Sequence, residues 1–116
     1  MSAAVRDLTV TLAPIVQRLE QFFLNRAPRE TIISQCEALV LIRWRGVMSE
    51  AERRMLHADA GSNSRQAIET LYRAMVQQAT AALVEALEAT ASVAVQAVFY
   101  DLDTVADEAL LTMAVQ

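Results

Sequence analysis

The chain has 116 residues, a hydrophobic share of 54% and a formal charge of −4, enough sequence for one domain whose core needs no disulfide or metal staple. All ten basic residues are arginine, which excludes Schiff-base chemistry, a lysine nucleophile and the phosphate-binding lysine of a P-loop. Net acidity, 5% aromatics and a single tryptophan, Trp44, argue against nucleic-acid binding through phosphate neutralisation or base stacking.

No apolar run approaches the roughly 20 residues of a membrane span, and the start shows no basic segment leading into an apolar block. One cysteine, Cys36, suits a reducing compartment. The expected location is the cytoplasm. A small domain this apolar is expected to self-associate as a homodimer.

Residues 5–23 place Val5, Leu8, Leu12, Ile15, Val16, Leu19, Phe22 and Phe23 at helical spacing. Pro14 lacks the N–H that a helix interior uses, so the helix either kinks there or begins with Pro14 in its first turn. Asn25-Arg26-Ala27-Pro28 ends it. Thr31, Ile32 and Ile33, followed by residues 38–44, read as a β-hairpin connected through residues 34–37. On its second strand Val40, Ile42 and Trp44 share a core face, while the face of Leu39, Leu41, Arg43 and Arg45 begins apolar and ends basic. Gly46 closes the strand, and Ser49-Glu50-Ala51-Glu52 has the form of a capping box that opens a short helix to about His57.

Residues 62–89 carry the longest helical period. Ile68, Leu71, Tyr72, Met75, Val76, Ala79, Leu83 and Leu87 gather on one side. This stripe is roughly 160° wide, where one contact surface needs about 100°. The helix therefore touches two surfaces, a sheet and either a second helix or another subunit. The flank around Val76, Leu83 and Leu87 is the expected oligomer interface. Residues 93–100 alternate as a strand, with Val93, Val95, Ala97 and Phe99 on one side. Residues 101–104 form a turn or strand end, and residues 109–115 return as the last strand. The predicted fold is α+β in a single domain, 1–116. Its two β-hairpins form a mostly antiparallel sheet, with the long amphipathic helix and the N-terminal helix packed on it.

Few groupings carry chemistry. Cys36 and His57 make a Cys-His pair only if the fold brings them together, and no cysteine-hydrolase signature surrounds Cys36. One Cys and one His do not build a metal site of the usual N/S kind, and neither a metal nor a cofactor is expected. Asp101, Asp103, Asp107 and Glu108 lack the glycine and closing glutamate of an EF-hand loop and read as solvated hairpin acids. Arg43, Arg45, Arg53 and Arg54 cluster near the start of the short helix, where free N–H groups also favour an anion. Pairing with Glu37, Glu50 and Glu52 is the simpler account of these arginines.

A helix ending in a Pro-containing turn, a strand running into Arg45-Gly46-Val47-Met48-Ser49-Glu50-Ala51-Glu52, the long helix, and residues 93–101 with an acidic turn and an apolar end together resemble the MpsC-like family of small bacterial proteins. The resemblance spans nearly the whole chain. It implies association with a membrane-potential-generating, cation-linked bicarbonate uptake system and carries over no catalytic residue. The family tends to have a G-x-G-P turn where this chain has Asn25-Arg26-Ala27-Pro28, and a glycine where it has Ala91 and Ser92, so easy access to positive φ is lost at both places. The functional expectation is a non-enzymatic accessory or regulatory interaction module, with a small-anion-binding domain and, more remotely, a Cys36/His57 enzyme as alternatives.

Overall fold

Residues 7–24, 28–58 and 62–116 are described in a computed structural model of the chain. Asp7 opens the first helix, α1 (Thr9–Leu19), by accepting from the Thr9 hydroxyl at 2.7 Å and the Thr9 N–H at 2.9 Å. Those two bonds, the side-chain one first, hold its carboxyl below the usual carboxylate range. The helix runs through Pro14. The carbonyl that Pro14 leaves without a helical donor belongs to Val10, four residues back, and Val10 is 81% exposed. After Leu19 the helix widens into a π-helical turn, Glu20–Leu24.

The strands β1 (Glu30–Cys36), β2 (Leu39–Arg45), β3 (Val95–Asp103) and β4 (Glu108–Val115) form one antiparallel sheet in the order β1-β2-β4-β3. Both predicted hairpins are present, with two differences. Strand β1 continues through Ser34 and Gln35 to Cys36, so residues 34–36 are strand, and the turn is Glu37 and Ala38, with Glu37 at φ 53°. Of the two readings of residues 101–104, the strand end holds for 101–103, which close β3. A bulge between Val95 and Ala97 breaks the expected alternation, so Val95 pairs with the inward Val115 while Ala97 and Phe99 face the opposite side.

Helix α2 (Glu50–Ala58) begins at the predicted capping box: Glu52 accepts the Ser49 N–H at 2.7 Å, and Ser49 Oγ accepts the Glu52 N–H at 3.1 Å. Helix α3 (Ser62–Ala91) lies against the sheet and against α1. It ends with Ser92 at φ 55°, a left-handed residue at a position where glycine is the usual choice.

All the helix packing is on one face of the sheet. Val40, Ile42, Leu111 and Met113 of β2 and β4 meet Leu12 and Val16 of α1 and Leu83 and Leu87 of α3 in the main core. A second cluster of Val47, Met48, Ile68, Tyr72 and Ala109 closes the end beside α2. This packing corrects the expected interface. Val76, Leu83 and Leu87 are 7%, 2% and 0% exposed within a single chain. The second surface of the broad α3 stripe is filled by α1 and the π-helical turn, so these side chains are not available to another subunit. Leu71, expected in the stripe, is instead 50% exposed.

Candidate functional site

The arginines do not converge on one pocket. Arg43 and Arg45 stand on the sheet face away from the helices and share Glu108: Arg43 donates to its Oε1 at 2.6 Å, and Arg45 Nε lies 3.2 Å from the same oxygen. Arg45 also reaches Glu30 at 3.1 Å. Arg53 and Arg54 belong to α2. Arg54 pairs with Glu50 at 2.7 Å one turn away, and Arg53 donates to Asp107 Oδ2 at 3.1 Å and to the Met48 carbonyl at 2.9 Å. Each guanidinium thus has a carboxylate beside it. The partners are those expected from sequence only for Arg54, since Glu52 accepts from Ser49 and lies 2.7 Å from the Tyr72 hydroxyl.

Asp107 is not a solvated hairpin acid. Its residue is only 9% exposed, its Oδ1 accepts the buried Met48 N–H at 2.9 Å, and its own carbonyl accepts the Gly46 N–H at 2.8 Å. It ties the β3–β4 turn to the β2–α2 connection. Asp103 accepts from the N–H groups of Val105 and Ala106 within the turn, and Asp101 is exposed. Among the described residues no group of three or more His, Cys, Asp or Glu side chains is placed to hold a metal ion.

Cys36 and His57 are not brought together. Cys36 is exposed on the outward face at the Leu39 end of the hairpin, whereas α2 follows the Arg45 end, a strand length of roughly 20 Å away for seven residues.

A buried carboxylate escaped the sequence reading. Glu20, at the start of the π-helical turn, is 7% exposed and accepts from the Thr31 hydroxyl at 2.5 Å and from the Trp44 indole N–H at 2.8 Å. The signal was present: Glu20 follows Leu12 and Val16 at four-residue spacing, in register with the buried stripe. Beside it an apolar cavity of about 30 Å³ runs between α1, α3 and the sheet, and Thr80 and Tyr100 line it with hydroxyls that have no hydrogen-bond partner among the described residues. Replacing Glu20 by Gln keeps an acceptor for both donors but removes the charge-assisted part of the bonds. The expected loss is about 1 kcal/mol of unfolding free energy, read from Trp44 fluorescence in a urea titration.

No described element covers the outward face of the sheet. The register sets its side chains in rows across β1, β2, β4 and β3: Cys36, Leu39, Ala114 and Ala97, then Ser34, Leu41, Thr112 and Phe99. The next row is Ile32, Arg43, Leu110 and Asp101, and the last is Glu30, Arg45, Glu108 and Asp103. Phe99 is 65% exposed, Leu39 45% and Leu110 37%. A solvated antiparallel face ordinarily carries polar side chains. Here the charged side chains gather in the two rows toward Arg45, and Ser34 and Thr112 are the polar side chains of the other two rows.

A family model described as the Na+-translocating membrane potential-generating system (MpsC) matches residues 5–116. The chain belongs to the MpsC family. No curated protein and no solved structure matches it at a significant level. The family description points to a component of a membrane-potential system linked to Na+. In this MpsC-family chain no helix of the described residues is long and apolar enough to cross a membrane. The matched stretch contains both the Glu20 cavity and the open sheet face.

Burial pushes the Tyr100 phenol up to about 12, with Arg73 pulling it down and Asp101 adding to the rise. The folded state thus holds this proton more tightly than the unfolded chain, whose tyrosines ionise near 10. Stability from this group is complete below about pH 10 and declines as pH rises toward about 12. Thermal melts from about pH 9 to about pH 11 should show that decline, and Tyr100→Phe should flatten it while losing no hydrogen bond at neutral pH.

Proposed function

We propose that this MpsC-family chain is a non-enzymatic accessory or regulatory module, a cytoplasmic homodimer that serves a membrane ion or bicarbonate transport system by docking rather than by catalysis. The uncovered sheet face, with Leu39, Phe99 and Leu110 exposed on it, carries this reading: exposed apolar side chains gathered on one face of a small domain mark a binding surface. The family description supports the link to a membrane-potential system. The separation of Cys36 from His57, and the carboxylate already beside each of Arg43, Arg45, Arg53 and Arg54, weigh against the enzyme and anion-site alternatives.

Light scattering of the purified chain at micromolar concentration tests the assembly. Twice the chain mass of 12.8 kDa is expected, and a monomer mass overturns the homodimer. Cells deprived of the chain should show a lowered membrane potential by a potential-sensitive dye, restored by the wild-type chain; an unchanged potential overturns the membrane link.

A further inference from the structure

We infer that the outward face of the sheet is the surface through which two copies of this chain associate, stacked face to face with the two-fold axis parallel to the strands between β2 and β4. This rests on the homodimer reading above and adds which surface is shared and how the copies are oriented.

Area is the first argument. Four strands spaced about 4.8 Å apart and seven to nine residues long cover a plane of roughly 20 by 25 Å. Two such faces in contact bury on the order of 1,000 Å², the lower bound for a specific interface. Stacked antiparallel sheets keep their strand directions within about 30°, with side chains interdigitating across about 10 Å. The apolar rows of this face suit that packing.

Charge placement fixes the orientation. An isologous contact must be complementary to itself. A two-fold axis along the strands lays β2 of one copy over β4 of the other, row on the same row. Leu41 then meets Thr112 of the second copy and Arg45 meets Glu108 of the second copy, so the two rows at the Leu39 end cover each other and the β2 arginine of the last row lies over a β4 carboxylate. In the row between them Arg43 lies over Leu110 and Ile32 over Asp101. An in-plane axis across the strands would instead press Arg45 onto the apolar end, around Leu39, and strand its charge without water. The Glu30 and Asp103 like-charge pair of the favoured arrangement falls at a sheet corner, where the crossing angle separates the strands and water screens the charges. On the helix side Val76, Leu83 and Leu87 are already covered within the chain.

The experiment is light scattering and sedimentation on the full chain and four variants. Phe99→Asp and Leu110→Glu, both at exposed outward positions, are expected to give monomers with unchanged circular dichroism. Leu71→Glu, exposed on α3, is expected to remain dimeric. Arg45→Glu places carboxylate over carboxylate and is expected to weaken the dimer about tenfold or more, an effect that fades in high salt. A monomeric wild-type chain overturns the homodimer reading and this inference together. A wild-type dimer that survives Phe99→Asp and Leu110→Glu overturns the inference alone. A dimer lost with those two variants but indifferent to Arg45→Glu overturns the orientation. Should either apolar variant lose its circular dichroism, Leu41→Glu at the adjoining row replaces it with the same expected and overturning results.

Discussion

Asp107→Ala is expected to lower the unfolding free energy by about 3 kcal/mol and the melting temperature by roughly 12 °C. Three losses add. The buried Met48 N–H loses its 2.9 Å acceptor, which costs about 1–3 kcal/mol for an orphaned donor. The ion pair to Arg53 at 3.1 Å goes too, and with the Arg53 side chain 44% exposed it contributes under about 1 kcal/mol. Residue 107 also sits at φ 55°, a conformation that aspartate tolerates and alanine adopts at a cost of about 1 kcal/mol. Asp107→Asn separates these causes. It keeps an oxygen for Met48 and tolerates the backbone, so only the ion pair is lost and the expected change is about 1 kcal/mol. Urea unfolding followed by Trp44 fluorescence measures both variants. Equal losses for Ala and Asn would show that the bond to Met48 is not what the carboxylate contributes.

The contrast between Asp107 and its neighbours marks where the sequence stops informing. Residues 101–108 contain four acids of similar local character, and nothing near them in the chain says which is buried. That is decided by the β2–α2 connection some 60 residues earlier, which supplies Met48 and Arg53. Elements whose determinants are local were legible: the period of α3, the Ser49/Glu52 box, and the alternation that turned Val40, Ile42 and Trp44 inward. The width of the α3 stripe was legible as well, but a stripe records only that something covers it. Whether α1 or another copy lies over Val76, Leu83 and Leu87 depends on the path of α1, which continues through Pro14.

The same limit applies to the open face. Leu39 and Leu41 beside Arg43 and Arg45 showed in sequence a strand side that begins apolar and ends basic. Only the order β1-β2-β4-β3 sets Phe99 and Leu110 beside them and Glu108 against both arginines. Glu20 differs from these cases, because its place in the buried stripe could be read directly and its partners Thr31 and Trp44 could not.

Gly46→Ala is expected to destabilise by about 3 kcal/mol, comparable to the loss of Asp107 although it removes no side-chain contact. Gly46 lies at φ 71°, where an L side chain costs about 1 kcal/mol. A Cβ at this position would lie 2.6 Å from Arg29 Cβ, an atom next to the backbone that cannot swing away, so the segment beside it must shift for a further 1–3 kcal/mol or so. The shift matters because Gly46 is bonded on both sides: its N–H donates to the Asp107 carbonyl at 2.8 Å, and its carbonyl accepts the Arg29 N–H at 3.4 Å. Moving it loosens the joint that Asp107 holds through Met48. Adding Arg29→Gly to Gly46→Ala removes the obstructing Cβ and should recover about 1 kcal/mol or more, leaving the left-handed backbone as the residual cost. If the double variant is no more stable than Gly46→Ala alone, the clash with Arg29 contributes nothing. The cost then belongs entirely to the backbone conformation.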